Sequence, residues 1–269
     1  MKALKNLKNT FSAYRKRIMN NKYLAFTLAF VGGMLEVYSL AYRGFFSLMQ
    51  TGNIITIFTS LISEQYVEAL QRLIVVFSFI IGLIIANFIE YHHIKRNKNY
   101  HIFELILIAI CLIISILIPT YFKLNEKLIA PDNSNYINVI GNIFMAIIGA
   151  TLLQSFNKIE DRNVTTTMLT ANLQRTVSSF FKGTIKEDKK EVVAGINYVF
   201  IVISFIIGAA TSYLYLYLIK QVLIENCGLF YQFLPNFILF IPLIIVIVLA
   251  TRYKIKANKT KKSFESDQK

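Results

Sequence analysis

The sequence predicts an all-α membrane protein, a polytopic bundle of about six transmembrane helices, from three observations. The 269 residues have a mean hydropathy of +0.52, and 55% of them are hydrophobic. The apolar residues are gathered in six runs, each close to the ~20 residues that a helix needs to cross a bilayer. The net charge of +14 comes from lysines and arginines between and beyond these runs, which is typical of segments that contact anionic lipid headgroups.

The order of the elements follows from the apolar runs. Residues 1–22 are basic and carry apolar residues at helical spacing, so they predict either an amphipathic helix on the inner membrane surface or a disordered tail. Residues 23–251 form the membrane domain, and 252–269 are expected to be a basic, disordered tail. Pro242 predicts a kink in the last span. The six predicted spans are 23–41, 69–90, 102–121, 137–156, 193–219 and 233–251.

Lysine and arginine predict the orientation of the chain. They are concentrated in both tails, in the loop 91–101 and in the segment 157–192, whereas the loops 122–136 and 220–232 have fewer. Six crossings put every basic-rich segment on one side, which the positive-inside rule assigns to the cytoplasm. We therefore expect a multi-pass cell-membrane protein with both termini cytoplasmic. Nucleic acid is not an expected partner, because no nucleic-acid motif accompanies the charge.

Two further segments, 45–62 and 165–183, have intermediate hydropathy. If 45–62 crossed the membrane, the basic loop 91–101 would face outward, against the positive-inside rule. We therefore expect both segments to be short re-entrant or membrane-embedded half-helices.

The two halves of the chain resemble each other, which predicts an internal duplication. The matching pairs are 49–53 with 168–172, the identical SFIIG at 78–82 and 204–208, and Gly33 with Gly149. The predicted repeats, 23–121 and 137–251, have three crossings each. Because three is odd, the second repeat starts from the opposite side, so the repeats are expected to be inverted about an axis in the membrane plane.

Glu36, inside the first predicted span, is the leading candidate for chemistry. Placing a carboxylate deep in a bilayer costs about 2.5–3.5 kcal/mol on insertion scales, so such residues are usually functional. One interpretation is a proton or cation site. The other is structural: Glu36 pairs with Arg43 or with the N-terminus of the half-helix.

The two Thr-x-Asn elements are the next candidates for solute or ion binding. Gly52 permits a backbone turn that other residues resist, so Thr51, Gly52 and Asn53 are expected to form a break in the helix. Their polar groups either bind a ligand or cap the helix. Thr170 and Asn172 are expected to have the same roles in the second half.

The remaining polar residues of the apolar runs have more ordinary interpretations. Gln154 is a ligand candidate but is more typical of a hydrogen bond between helices. Arg175 either offsets the charge of Glu36, attracts an anion or extends to the inner surface. Glu104 is expected at the interface, with His101 in the adjacent basic loop.

Several motifs resemble the YoaK family of bacterial membrane proteins. The residues that carry the resemblance are Gly32–Tyr38, Arg43-Gly44 and Gln50–Asn53 in the first half, and 154–156 and 166–173 in the second. It covers about residues 23–251 and implies a multi-span membrane protein without an established activity. Two positions depart from the family: Glu36 stands where aspartate is usual, and Ala171 where a second glycine is usual.

The function class that these observations favour is a secondary transporter or exchanger of a small solute, and proton coupling through Glu36 is one form of it. A passive channel and a non-transporting membrane scaffold are the alternatives. The sequence lacks H-E-x-x-H, G-x-S-x-G and a phosphate loop, so we expect no enzyme, catalytic residue, cofactor or metal site. The expected partners are anionic lipid and a solute or ion, and the sequence is compatible with a homo-oligomer.

Overall fold

The computed structural model describes residues 22–95, 100–119, 123–124, 127–128, 134–156, 158–159, 162–165, 169–225 and 232–266. Within them the chain is all-α, as predicted, apart from two hairpins of two-residue strands. The helices are α1 Lys22–Tyr38, α2 Gln50–Ile62, α3 Tyr66–Lys95, α4 Tyr100–Leu117, α5 Ser134–Ser155, α6 Leu169–Ile185, α7 Lys189–Glu225 and α8 Phe240–Ser266. A π-helical turn, Ser39–Arg43, extends α1, and a 3-10 helix, Leu234–Leu239, precedes α8. The antiparallel strand pairs are β1 Lys123–Leu124 with β2 Lys127–Leu128, and β3 Lys158–Ile159 with β4 Arg162–Asn163.

Five helical segments of the described chain are long and apolar enough to cross a membrane. They are Lys22–Arg43, Tyr66–His93, Tyr136–Ser155, Lys189–Lys220 and Leu234–Ile255, and the apolar helix His101–Leu117 is shorter. A helix satisfies its own backbone hydrogen bonds, which a membrane-spanning segment requires. The helices are therefore those of an integral membrane protein.

Helices α1 and α7 pack side by side and run parallel. The rings of Phe26 and Phe200 lie 5.6 Å apart, and the Tyr42 hydroxyl donates to the Leu216 carbonyl at 3.2 Å. Between these contacts, a Cβ at Gly33 would lie 2.1 Å from the Phe205 carbonyl oxygen. The residue numbers of the contacting partners thus increase in the same direction along both helices, as parallel packing requires.

The α1–α7 contact depends on two glycines. Besides Gly33, a Cβ at Gly208 would lie 2.0 Å from the carbonyl oxygen of Phe30. No side chain fits into these positions, so the two backbones touch. Small residues at such crossings allow close packing of membrane helices.

Helices α3 and α5 form a second parallel pair. A Cβ at Gly82 would lie 2.9 Å from the Ile147 Cα, and Gln154 Nε2 donates to Asn87 Oδ1 at 2.9 Å. The residue numbers of the contacting partners again increase in the same direction along both helices. Gly82 belongs to the repeated SFIIG motif, as Gly208 does in the α1–α7 pair.

Helices α4 and α8 run antiparallel and define two ends of the bundle. Asn236, just before α8, donates to the Ile116 carbonyl at 3.0 Å, whereas the His101 ring lies 6.3 Å from the ring of Tyr253. Arg43 donates to the Ser115 carbonyl at 2.8 Å. We call the end that contains this contact the Arg43 end and the opposite end, where α1 begins, the Tyr23 end.

The same contacts show at which end of the bundle the other helices begin. Arg43 lies against Gly141 near the start of α5, so α5 and its parallel partner α3 begin at the Arg43 end. Helix α7 is parallel to α1 and begins at the Tyr23 end.

Three sequence-based expectations concern the chain's termini and last span. Helix α8 continues to Ser266, whereas 252–269 was expected to be disordered; this stretch lacks proline and glycine, and its lysines and alanine favour helix. The kink expected at Pro242 is instead a change from 3-10 to α-helix at Phe240, because proline is tolerated in a first helical turn. The amphipathic helix predicted for 1–22 lies, apart from Lys22, outside the described residues.

Candidate functional site

Asn53 closes the first loop, residues 44–49, which joins the π-helical turn to α2. Its Nδ2 donates to the Phe46 carbonyl at 2.6 Å, and the Phe46 N–H donates to its Oδ1 at 3.1 Å. The side-chain amide thus satisfies both backbone groups of a residue seven positions earlier. A loop inside a bundle needs such partners, because an unpaired buried peptide group is costly.

Asn172 closes the second loop, which precedes α6 and is described at residues 162–165. Its Nδ2 donates to the Thr165 carbonyl, and the Thr165 N–H donates to its Oδ1 at 3.3 Å. Thr165 is again seven positions earlier. The two asparagines therefore make the same two-way backbone bridge.

The first loop descends along α5 from the Arg43 end. Arg43 lies beside Gly141, and the Ser47 carbonyl oxygen lies 3.0 Å from where a Cβ of Gly149 would be. These two glycines are about 12 Å apart along a helix with a rise of about 1.5 Å per residue. Helix α2 then returns toward the Arg43 end, because α3 follows it directly and begins there.

The second loop descends along α7 from the Tyr23 end. Arg162 Nη1 donates to Glu191 Oε2 at 2.9 Å near the start of α7, and the Tyr198 hydroxyl donates to the Asn163 carbonyl at 3.2 Å. A Cβ at Gly183 would lie 2.6 Å from Val192, and one at Gly195 would lie 3.1 Å from the Phe180 ring, so α6 runs antiparallel to α7. Asn172, eight residues before Phe180, therefore lies about 12 Å deeper than this contact, and it holds Thr165 there. Helix α6 then returns to the Tyr23 end, where α7 begins.

The turns that end α2 and α6 are also alike. Glu64 and Glu187 are the non-glycine residues of the described chain with positive φ, 59° and 52°. Each lies two positions after the last residue of its short helix. A left-handed residue is a common helix terminator, although glycine usually provides it.

Glu36 is buried in α1, with 5% of its surface exposed, and it binds the end of the first loop, just before α2. Its Oε2 accepts hydrogen bonds from the Leu48 N–H at 2.8 Å and the Ser47 hydroxyl at 3.2 Å. Its Oε1 accepts from the Met49 N–H at 3.4 Å. Leu48 and Ser47 belong to the first loop, and Met49 is the residue directly before α2. The carboxylate therefore supplies acceptors to buried donors of this loop, which would otherwise be costly to leave unpaired.

Arg43 does not contact Glu36 in the structure. Its Nε donates to the Tyr38 hydroxyl at 3.1 Å, and its Nη2 donates to the carbonyls of Ser115 and Ile118. Tyr38 in turn donates to Asn236 Oδ1. Sequence reasoning missed Asn236, although a polar residue after Pro235 in an apolar run was a signal for it.

The other candidates of the first half occupy different positions. Thr51 is exposed on α2. Gly52 is not the site of the turn: it lies in the first turn of α2, where a Cβ would be 2.7 Å from the Phe46 ring. The left-handed glycine is Gly44, with φ 77°, so the helix break precedes the Thr-x-Asn element.

The candidates of the second half group around Asn172. Arg175 Nη1 lies 3.3 Å from both Thr165 Oγ1 and Asn172 Oδ1 and donates to them. Thr170 is exposed. Gln154 lies apart, where it bonds Asn87 and Glu90 of α3, which fits its interpretation as a link between helices.

His101 and Glu104 are more buried than the sequence indicated. His101 Nδ1 lies 2.9 Å from Glu104 Oε2, and both residues are almost fully enclosed. Their spacing of three residues placed them on one helical face, which was the available signal. They lie inside the bundle and not in an interfacial loop.

A family model described as "Protein of unknown function (DUF1275)" matches residues 24–249. The chain belongs to this family. Both loops, Glu36 and Arg43 lie in the matched part of this DUF1275 protein, and the family description assigns no activity to them. The resemblance to the YoaK family is compatible with this membership. No curated protein and no solved structure matches the chain.

Proposed function

We propose that this DUF1275 protein is a secondary transporter or exchanger for a small solute. It consists of two inverted repeats, residues 23–121 and 137–251, each crossing the membrane three times. Helices α2 and α6 are the re-entrant elements, and the termini are cytoplasmic. Transporters of this design bind their substrates between the repeats, where helices are interrupted.

The observation that carries this proposal is the pair of asparagine bridges. Asn53 and Asn172 each hold the backbone of a residue seven positions earlier. One loop descends from the Arg43 end and the other from the Tyr23 end. Equivalent elements that enter from opposite ends are what an inverted repeat requires.

The directions of the helices give further support. With three crossings per repeat, α1, α4 and α7 point one way, and α3, α5 and α8 point the other. The parallel pairs α1–α7 and α3–α5 and the antiparallel pair α4–α8 agree with this scheme. It counts α4, Tyr100–Leu117, as a sixth crossing, since its two ends contact opposite ends of the bundle.

Glu36 offers a way to couple a proton to loop movement. A charged carboxylate accepts stronger hydrogen bonds than a neutral acid does. Protonation of Glu36 would therefore weaken its hydrogen bonds from Leu48 and Met49 at the end of the first loop. Release of these residues would change the first loop, which lies at the proposed binding region.

The transport test uses Glu36→Gln in proteoliposomes loaded with the pH dye pyranine. The probes are chloride, nitrate, formate, amino acids, sugars and monovalent cations, each added as a gradient. We expect one class to drive proton movement with the unaltered protein and not with Glu36→Gln, whose melting temperature should stay close to the original. Glu68→Gln, which removes a partly exposed carboxylate paired with Arg72 on α3, is the control and should transport normally.

The rival functions predict different results. A passive channel carries a solute down its gradient without moving protons and is unaffected by Glu36→Gln. A scaffold gives no flux with any probe, and Glu36→Gln lowers its stability.

The inverted topology can be tested by labelling in cells. Ser63→Cys and Lys186→Cys, after α2 and α6, are made in a Cys111→Ala, Cys227→Ser background. We expect a membrane-impermeant maleimide to label only Ser63→Cys from outside. Labelling of both positions from the same side would contradict the inverted repeat and, with it, the transport proposal.

A further inference from the structure

Arg43 carries a positive charge in an enclosed place. Only 1% of its surface is exposed, and its Nε and Nη2 are held by Tyr38 and by two backbone carbonyls at the end of α4. Nη1 has no hydrogen-bond partner among the described residues. None of the ion pairs in this part of the chain includes Arg43.

Carbonyl groups at a helix C-terminus stabilise a cation only partly, because they represent about half an elementary charge. A buried charge without an opposite charge is costly. The guanidinium therefore lacks a full counter-ion within the described structure.

Asn142 belongs to the turn of α5 that touches Arg43. It follows Gly141, where a Cβ would lie 1.8 Å from Arg43 Nη1. Asn142 is 0% exposed, and neither its Nδ2 nor its Oδ1 has a hydrogen-bond partner within the described parts of the chain. Each unpaired polar group of a buried amide costs about 1–3 kcal/mol of folding free energy. A bound ligand that hydrogen-bonds to Asn142 would remove this cost.

Ser39 supplies a third unpaired group on the same π-helical turn, which it begins and Arg43 ends. Its buried hydroxyl has no partner among the residues that the structure describes. Helices α1 and α5 are antiparallel here: Arg43 lies against Gly141, and Ser47, bonded to Glu36, lies against Gly149. This register puts Ser39 within about one helical turn of Asn142. Single π-helical turns in α-helices are frequently found at functional sites.

We propose that Ser39, Arg43 and Asn142 bind a small monovalent anion. A guanidinium, an amide NH2 and a hydroxyl can each donate a hydrogen bond to one anion, and the anion neutralises the charge of Arg43. The inference deepens the proposed function, on which it rests, because it names the transported solute as an anion. Joint movement of one anion and one proton on Glu36 is electroneutral.

The test measures the melting temperature of the purified full-length protein in detergent at constant ionic strength. Sodium gluconate is replaced stepwise by chloride, nitrate, formate or acetate. Binding to the native state raises the melting temperature with ligand concentration. We expect at least one of these anions to give a saturable increase.

Three variants locate the binding site. Asn142→Ala and Ser39→Ala should each weaken the apparent affinity about tenfold, since one hydrogen bond to a charged ligand is lost. Arg43→Gln should abolish the increase. Ser155→Ala, a buried serine at the Tyr23 end of α5, is the matched control and should respond like the unaltered protein.

The outcomes separate this inference from the proposed function. An unchanged response in Asn142→Ala and Ser39→Ala, or no response to any anion, overturns the anion site even if Arg43→Gln fails to fold. In that case, proton-coupled uptake of another solute would leave the transport proposal intact. A site-dependent anion response without any flux would instead support the site and contradict transport.

Discussion

The loops before α2 and α6 are closed by asparagine in the same way, but the charged side chain beside each has the opposite sign. Beside the first loop, Glu36 accepts hydrogen bonds from the Leu48 and Met49 N–H groups. In the second, Arg175 donates to Asn172 and Thr165. From the aligned pair Gly33 and Gly149, the counterpart of Glu36 is Leu152, which is fully buried.

The two loops share the asparagine bridge, whereas only the first has a buried acid beside it. The asparagine bridge works in the second loop without a buried acid, so the acid is not needed to form such a loop. The buried carboxylate is therefore particular to the first half, where it accepts hydrogen bonds from backbone N–H groups of the first loop. Glu36 as a proton-binding residue stays a prediction.

The largest effect is expected from Glu36→Leu, which makes the first loop resemble the second at this position. It leaves the buried Leu48 N–H and the Ser47 hydroxyl without their acceptor, at about 1–3 kcal/mol each. We expect a clear fall of the melting temperature in detergent. Glu36→Gln keeps a carbonyl acceptor and should lose much less. Equal stability of Glu36→Leu and the unaltered protein would contradict the structural role of the contact between Glu36 and the first loop.

The next effect concerns the bridges themselves. Asn53→Ala and Asn172→Ala each leave one backbone N–H and one carbonyl without a partner, so each should cost about 2 kcal/mol. Thermal unfolding of both variants compares the two loops directly. Thr51→Ala and Thr170→Ala, exposed two positions earlier on the same helices, serve as the matched controls. A loss confined to one of the two bridge variants would show that the loops are not equivalent.

The smallest effect is expected from Arg175→Gln. Its two hydrogen bonds are long, 3.3 Å each, and the side chain is half-buried, so we expect a loss below about 1 kcal/mol. Lys182→Gln on the same helix is the matched control. A loss of stability as large as that of Glu36→Leu would mean that Arg175 and Glu36 stabilise the fold equally.

Much of the fold could be predicted because long apolar runs are a local signal. Each predicted span overlaps a helix of the structure, and the Thr-x-Asn elements do start short helices. Contact of Glu36 with the region just before α2 agrees with one of the two structural interpretations, pairing with the N-terminus of the half-helix, and not with the other, pairing with Arg43. Its individual partners could not be predicted, since two of them are backbone N–H groups that any residue would present. The role of Gly52 was missed for a related reason: its need for space depends on the Phe46 ring, which only the folded loop brings near.

The buried polar groups were harder to predict than the helices. His101 and Glu104 stand beside a basic loop in the sequence, which indicated an interface. Enclosure of this pair depends on Phe156 and Tyr253, whose rings lie 5.3 and 6.3 Å from His101. These residues belong to distant parts of the chain, so no local pattern reveals the contact.

The glycine contact between α1 and α7 has a consequence for motion. With backbone against backbone at Gly33 and Gly208, neither helix can roll or slide without a collision of main-chain atoms. We therefore expect these two helices, one from each half of the sequence, to move together. In the proposed transporter, rocking is then expected between this pair and the α3–α5 pair, along a boundary that does not coincide with the boundary between the halves.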